Sequence, residues 1–331
     1  MMNNLKQILK YVLSLLLAAV LLWLCLRNTD WALFLEAIKG CRWDYMALSM
    51  VIGIAVVWVK ALRWRMLMRP LDPSIDIVTC FNAYNIGLAA NIALPKAGEV
   101  IKLGYIVKHS SKGEDGKHLI TVDKALGTLI TERVWELAVM ILLALGALVI
   151  SRDNVAGFMS GTFSGGSASM WLLVLGLLAA LAAFVTLSCF MREKGGIWAR
   201  TWSVIQGTLE GLTAFRKMKG WPIFIVYTAI VWALYLLSTY FAIRSVGHIE
   251  EFASLGLAEA YIIMVIGSLS TIIPVPGGFG AYHGIVAGAM LSLWNIPLGA
   301  GMILATVCHE SQIVVQIVCG LSSYVHELFR K

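Results

Sequence analysis

"ANIALPKAGEV", residues 90 to 100, decides how this chain folds. It reads as membrane interior as far as Leu94, and then Pro95, Lys96, Gly98 and Glu99 follow at once. Proline ends a helix because it lacks an amide donor and clashes with the preceding turn. Ionisable side chains at bilayer depth are costly and mark a substrate or ion path. The apolar arm that follows, residues 97 to 107, would be only about 16 Å long at helical rise, too short for a hydrocarbon core of about 30 Å. The break therefore reads as the elbow of a hairpin that turns back within the membrane, and the first broken segment covers about residues 76–107.

Working outward, the chain has 331 residues, 59% hydrophobic and 14% charged, with a mean hydropathy of +0.81. This composition excludes a water-soluble globular domain and marks an all-α polytopic membrane protein. Runs free of Asp, Glu, Lys and Arg cover 11–26, 45–59, 77–95, 137–151, 154–191, 221–243 and 260–308. The polar excursions between them are too short to hold a soluble catalytic domain. The net charge of +7 sits at span ends, with no basic stripe carrying interleaved aromatics, so nucleic acid is not an expected partner. The six cysteines show no C-x-x-C spacing and read as small core residues. The N-terminal apolar run lacks a small-residue cleavage pattern and reads as an uncleaved first span.

The positive-inside rule places Lys6 and Lys10 on the cytoplasmic side and puts "KALRWRMLMRP", with Lys60, Arg63, Arg65 and Arg69, in an inner loop. "MREKGGIWARTW", "FRKMKG" and Arg330-Lys331 are inside by the same rule, and the Gly/Ser-rich stretch after Arg152 is outside. Six full spans follow, at about 8–26, 45–62, 134–150, 170–190, 222–243 and 298–325. A second broken segment, about 252–296, carries "PVPGGFG" in its middle. Phe252 to Ile273 is long enough to span, so two full spans would give the same topology as a hairpin. Symmetry with the first break favours the hairpin. Two Pro/Gly-broken segments entering from opposite sides are the pattern of an inverted-repeat transporter. The whole of 1–331 reads as a single transmembrane domain in a cytoplasmic (inner) membrane, with both termini inside. Between Ile197 and Phe215, Trp198, Trp202, Ile205, Leu209 and Leu212 recur at helical spacing, giving either an in-plane helix or a plain linking helix.

Several residues are candidates for contact with a substrate. Lys96, Glu99 and Lys102 stand at the first elbow, where a helix start and a lysine attract anions, and Gly98 lets the backbone bend or approach a ligand. Glu99 and Lys102 share a helix face; the alternative is that all three anchor the cytoplasmic edge. Glu132 and Arg133 begin a span and point apart, serving either a cavity or the interface. Gly277 and Gly278 form the second elbow, which either lines a cavity or is a tight turn. His283 is the lone acidic or basic side chain between Ala260 and Cys308, and His309-Glu310 follow directly. A His283 facing His309 or Glu310 could couple transport to protons, or the histidines could simply bond buried helices. Two histidines and one carboxylate without a matched thiolate are a thin zinc set, so no metal and no cofactor is expected. No catalytic motif is present, so a lipid transporter is expected rather than an enzyme, the alternative being a membrane-embedded enzyme that acts on a lipid headgroup.

At "NIALPKAGEVIKL", "TERVWELAVM" and "PVPGGFGAYHG", in this order, with "KALRWRML" after the second span, the chain resembles the flippase-like membrane proteins typified by the transmembrane half of lysylphosphatidylglycerol synthases. The resemblance covers essentially the whole chain. It implies a lipid-handling bundle with two broken segments, a membrane lipid as substrate, and fused members that move an aminoacylated phospholipid between leaflets. Those members carry a cytosolic aminoacyl-transferase domain after the bundle; ending at Lys331, this chain is not expected to have that activity, and a separate lipid-modifying enzyme is a conceivable partner. The family's Pro-x-x-Gly-Glu break falls on Pro95, Gly98 and Glu99, its Glu-Arg pair on Glu132 and Arg133, and its Pro-Gly-Gly loop on Pro276, Gly277 and Gly278. Where the family places a glutamate and an arginine, this chain has His283 and His309 beside Glu310. An acid and a base exchanged together suggest that the two positions are partners.

Overall fold

A computed structural model describes residues 31–114, 116–151, 186 and 220–330. The described residues form helices and no strand beyond one isolated bridge between Lys112 and His118. In chain order these are α1 (Trp31–Lys39), α2 (Trp43–Met68), α3 (Ile77–Ala93), α4 (Ala97–His109), α5 (Val122–Ile150), α6 (Trp221–Ser245), the short α7 (Glu250–Ala253), α8 (Leu257–Leu269), α9 (Ala281–Trp294) and α10 (Leu298–Phe329). Two 3-10 turns, Ser270–Ile272 and Pro276–Gly278, lie between α8 and α9. Four of the helices, α2, α5, α6 and α10, are long and apolar enough to cross a membrane. They overlie the expected spans at 45–62, 134–150, 222–243 and 298–325. The expected spans at 8–26 and 170–190, and the amphipathic stretch at 197–215, lie outside the described residues.

The chain divides into two compact units, one of residues 1–126 and 222–331 and the other of residues 127–221. In the first, α10 is the central element. It packs against α2, α3 and α9, and also touches α1. Its small residues set the spacing: a side chain at Gly320 would run into Ala89 of α3, and one at Gly301 would press on Ala287 of α9. Small residues at helix crossings let backbones approach where no hydrophobic force separates helix from lipid. Polar groups supply the other contacts. Ser49 of α2 donates to the Ser238 carbonyl of α6 at 2.8 Å, and Gln312 of α10 donates to the Ser238 hydroxyl at 3.0 Å. Beneath α7 to α9 lies a core of Phe252, Leu255, Ile263, Met290, Ile303 and their neighbours.

Each broken segment is a pair of short helices packed on each other. In the first, Asp76 caps α3 by accepting from the Thr79 amide at 2.7 Å, and α4 folds back along α3. With 17 and 13 residues, the arms measure about 25 and 20 Å at helical rise, both short of the core thickness. The second differs from the sequence expectation of a long first arm. α8 holds 13 residues, because the chain stops after α7 and restarts where Glu259 accepts from the Gly256 amide at 2.8 Å. That return bond is half of a capping box, glycine having no side chain for the other half. Neither α8 nor the 14-residue α9 reaches about 30 Å.

A second difference concerns "KALRWRMLMRP". It is largely helix, since α2 continues to Met68 before Pro70 ends it. Arg63 is 1% exposed, with its guanidinium 5.6 Å over the Phe224 ring and bonded to Thr228. A buried arginine needs such partners, so Arg63 belongs to the packing of α2 on α6 and does not report a loop. The loop proper, residues 69–76, is pinned by Asp72. Its carboxylate accepts from Ser74 and from the Ser111 amide at 2.7 Å.

Candidate site at the two helix breaks

The first elbow is tight. Leu94 is extended, as the residue before a proline must be, and Lys96 takes a left-handed conformation with φ of 62°. A non-glycine residue there costs on the order of 1–3 kcal/mol and persists only where the surroundings fix it. The Lys96 side chain is exposed and that of Glu99 half-buried. The amides expected to receive an anion are partly taken: Ala97 N–H donates to the Leu94 carbonyl and Gly98 N–H to the Asn91 side-chain oxygen at 2.8 Å. Gly98 is required for another reason. A side chain there would strike the Gly87 carbonyl oxygen on α3, so this glycine allows the two arms to touch backbone to backbone.

Lys102, one turn on, is 5% exposed. Its ammonium lies 3.5 Å from the Tyr84 ring centroid and 4.0 Å from that of Trp64, and the two rings meet edge to face at 5.4 Å. Aromatic faces attract cations, and more strongly when desolvated. This cage was not foreseen, since Trp64 and Tyr84 lie on other helices and carry no mark that separates them from packing aromatics.

The second elbow is built from Pro276, Gly277 and Gly278, the two glycines having φ of 56° and 78°. Its amides are used locally, Gly278 N–H bonding to the Val275 carbonyl and Phe279 N–H to Pro276. The loop therefore turns a carbonyl, not amides, toward its neighbours: the Gly277 oxygen accepts from His309 Nε2 at 2.9 Å. The same loop packs on the end of α3, where a Cβ at Gly277 would lie 3.6 Å from the Ile92 Cα. The two breaks thus meet.

Directly against the second elbow stands a cluster from α9 and α10. His309 Nδ1 lies 3.0 Å from Glu310 Oε1, and His283 Nε2 lies 3.5 Å from the same oxygen. The two imidazole rings are 5.2 Å apart. Tyr282 stacks on His309 at 4.9 Å, in a space that Gly267 of α8 leaves open, and Phe279 meets the same ring edge-on. His283 is 2% exposed and its Nδ1 has no hydrogen-bond partner. The partnership expected from the paired departures at 283 and 309 is therefore present in space.

Glu132 and Arg133 belong to the other unit, on α5. There Arg133 pairs with Glu136 one turn away at 2.8 Å and is exposed, while Glu132 is buried. A further network went unread in the sequence. Glu327 of α10 accepts from Tyr105 at 2.7 Å and Lys108 at 2.9 Å, and lies 3.0 Å from His109, all on α4. Asn82 and Asn85 of α3 bond to His326 and Ser323, and Arg330 reaches Asp76 and Thr79. This network clamps the first hairpin to the last helix.

The model of the lysylphosphatidylglycerol synthase transmembrane region matches residues 11–320. The chain belongs to this family. Neither the curated proteins nor the solved structures compared with it give a match. Membership in the lysylphosphatidylglycerol synthase transmembrane family makes it a multi-pass membrane protein of a lipid-handling group. The matched region is the transmembrane part of those synthases, distinct from their catalytic domain.

Proposed function

We propose that the protein moves a phospholipid, or a polyprenyl-phosphate-linked lipid, from one leaflet of the cytoplasmic (inner) membrane to the other, the headgroup passing where the two helix breaks meet. The observation that carries this reading is the contact of the Gly277 turn with the end of α3 at Ile92, with titratable side chains gathered beside it. Broken helices with their elbows together at membrane depth are how transporters build a polar site without exposing backbone to lipid.

In this reading the whole chain acts as one transmembrane domain of six spans and two re-entrant hairpins in inverted-repeat arrangement, with both termini cytoplasmic. Lys96 is the exposed cation at the first elbow and meets the lipid phosphate, assisted by Glu99. The Gly277 carbonyl, His309 and Glu310 form the polar wall at the second elbow, and Gly278 keeps it open by having no side chain against His309.

The test is leaflet exchange by the purified protein in liposomes. Glu99→Gln and Glu310→Gln should each slow exchange of a labelled phospholipid at least tenfold, equivalent to about 1.4 kcal/mol, while each variant still unfolds cooperatively on heating. Wild-type rates in both variants, with the fold intact, would remove these carboxylates from the path. Thin-layer analysis of the same lipids should show no altered product; a converted headgroup would mark an enzyme instead.

A further inference from the structure

His309 carries a hydrogen on Nε2. Its Nε2 faces the Gly277 carbonyl at 2.9 Å, and a carbonyl only accepts, so the hydrogen is on Nε2. The neutral ring then points the Nδ1 lone pair at Glu310 Oε1, 3.0 Å away, which is also an acceptor. Two acceptors at that distance need a positive centre between or beside them. His283 Nε2 adds a third nitrogen or oxygen donor atom 3.5 Å from the same oxygen, and one donor atom from each of the three residues lies within 4.8 Å of the others.

These spacings resemble those of a coordination shell. Ligands about 2.0–2.1 Å from a tetrahedral ion stand about 3.3 Å apart, between the two imidazole–carboxylate distances of 3.0 and 3.5 Å. Two imidazoles and a carboxylate select zinc and its neighbours over calcium and magnesium, which prefer oxygen throughout. The His309 bond to the Gly277 carbonyl is the outer contact that a metal-bound histidine needs to fix its ring and tautomer. Tyr282 and Phe279 flank that ring and hold its plane.

We propose that His283, His309 and Glu310 bind a divalent transition-metal ion, with zinc the closest match. Three protein donors leave a coordination position for water or another oxygen ligand. The ion ties the second elbow to α9 and α10 through His309 and Gly277. Sequence spacing alone argued against a metal, since the donors are three and no thiolate accompanies them; the geometry supplies what the spacing lacked. The proposal does not depend on lipid movement.

The experiment uses the full chain in detergent, stripped with a chelator and dialysed against zinc chloride, with metal measured by mass spectrometry. The expected result is about one zinc per chain and, after cobalt substitution, visible absorption of the strength that low-coordinate cobalt gives. His309→Gln and Glu310→Gln should each lower affinity tenfold or more, at least as much as the loss of an outer-shell contact. His118→Gln, a histidine outside the cluster, should bind as wild type. Absence of stoichiometric zinc in the wild-type protein, which needs no variant to fold, would overturn the proposal and leave a proton as the positive centre. Binding that survives both substitutions, or that is lost in His118→Gln, would overturn it as well.

Discussion

Gly98→Ala puts the packing of the first hairpin to a direct test. The added methyl would overlap the Gly87 carbonyl oxygen and lie 2.7 Å from the Asn91 side-chain carbon. Both obstacles are poorly placed to yield: the first is backbone, and the second is tied to the Gly98 amide. To make room the arms must separate, at an overpacking cost of about 1–3 kcal/mol. The Asn91 bond would go with them, for about 1 kcal/mol more. We expect a loss of about 2–4 kcal/mol, partly offset by alanine's better helix propensity. Gly104→Ala is the matched control on the same helix, since a Cβ there meets nothing within 4 Å; it should be neutral or stabilising by about 0.5–1 kcal/mol. Unfolding in mixed micelles of increasing denaturing-detergent fraction measures both. Equal stabilities for the two variants would refute the backbone contact between α3 and α4.

Lys96→Gly should stabilise the fold by up to about 1 kcal/mol, because it relieves a left-handed residue, while slowing leaflet exchange; a faster or unchanged exchange would make Lys96 a turn residue only. Glu327→Gln should cost about 1–2 kcal/mol by weakening charge-assisted bonds to Tyr105 and Lys108, read as a lower midpoint in the same unfolding assay. Asp72 gives a pH dependence. Burial alone would raise its carboxyl, but hydrogen bonds from Ser74 and Ser111 outweigh it and hold it below the usual carboxylate range. A depressed folded value contributes stability above the unfolded value of about 3.9 and loses it as pH falls through the folded one. Acid titration of wild type should therefore show a loss below about pH 4 that Asp72→Asn, already weaker at neutral pH, lacks.

Much of this architecture is legible in the sequence because its cause is local. Pro95, and Pro274 together with Pro276, interrupt apolar runs, and the helices on either side of each break are short. The partnership of His283 with His309 and Glu310 was visible through a paired departure from the family pattern. What escaped depends on contacts between distant segments. Nothing in α4 announces that Lys102 sits between Trp64 and Tyr84, or that Gly98 serves Gly87 rather than a ligand. The short α8 was missed because the Glu259 return to Gly256 is a cap without a serine or aspartate to signal it. Positive-inside counting assumes exposure and so assigns Arg63 to a loop, whereas this arginine is covered by Phe224.

Leaflet exchange by the wild-type protein shows whether the meeting of the two breaks carries lipid from one side of the bilayer to the other. Liposomes holding a fluorescent phospholipid in both leaflets are treated with a membrane-impermeant quencher. Protein-containing vesicles should lose nearly all fluorescence as inner-leaflet lipid is delivered outward, while empty vesicles keep the inner-leaflet share. Retention of that share in vesicles shown to contain folded protein, with each candidate lipid tried in turn, would contradict the account.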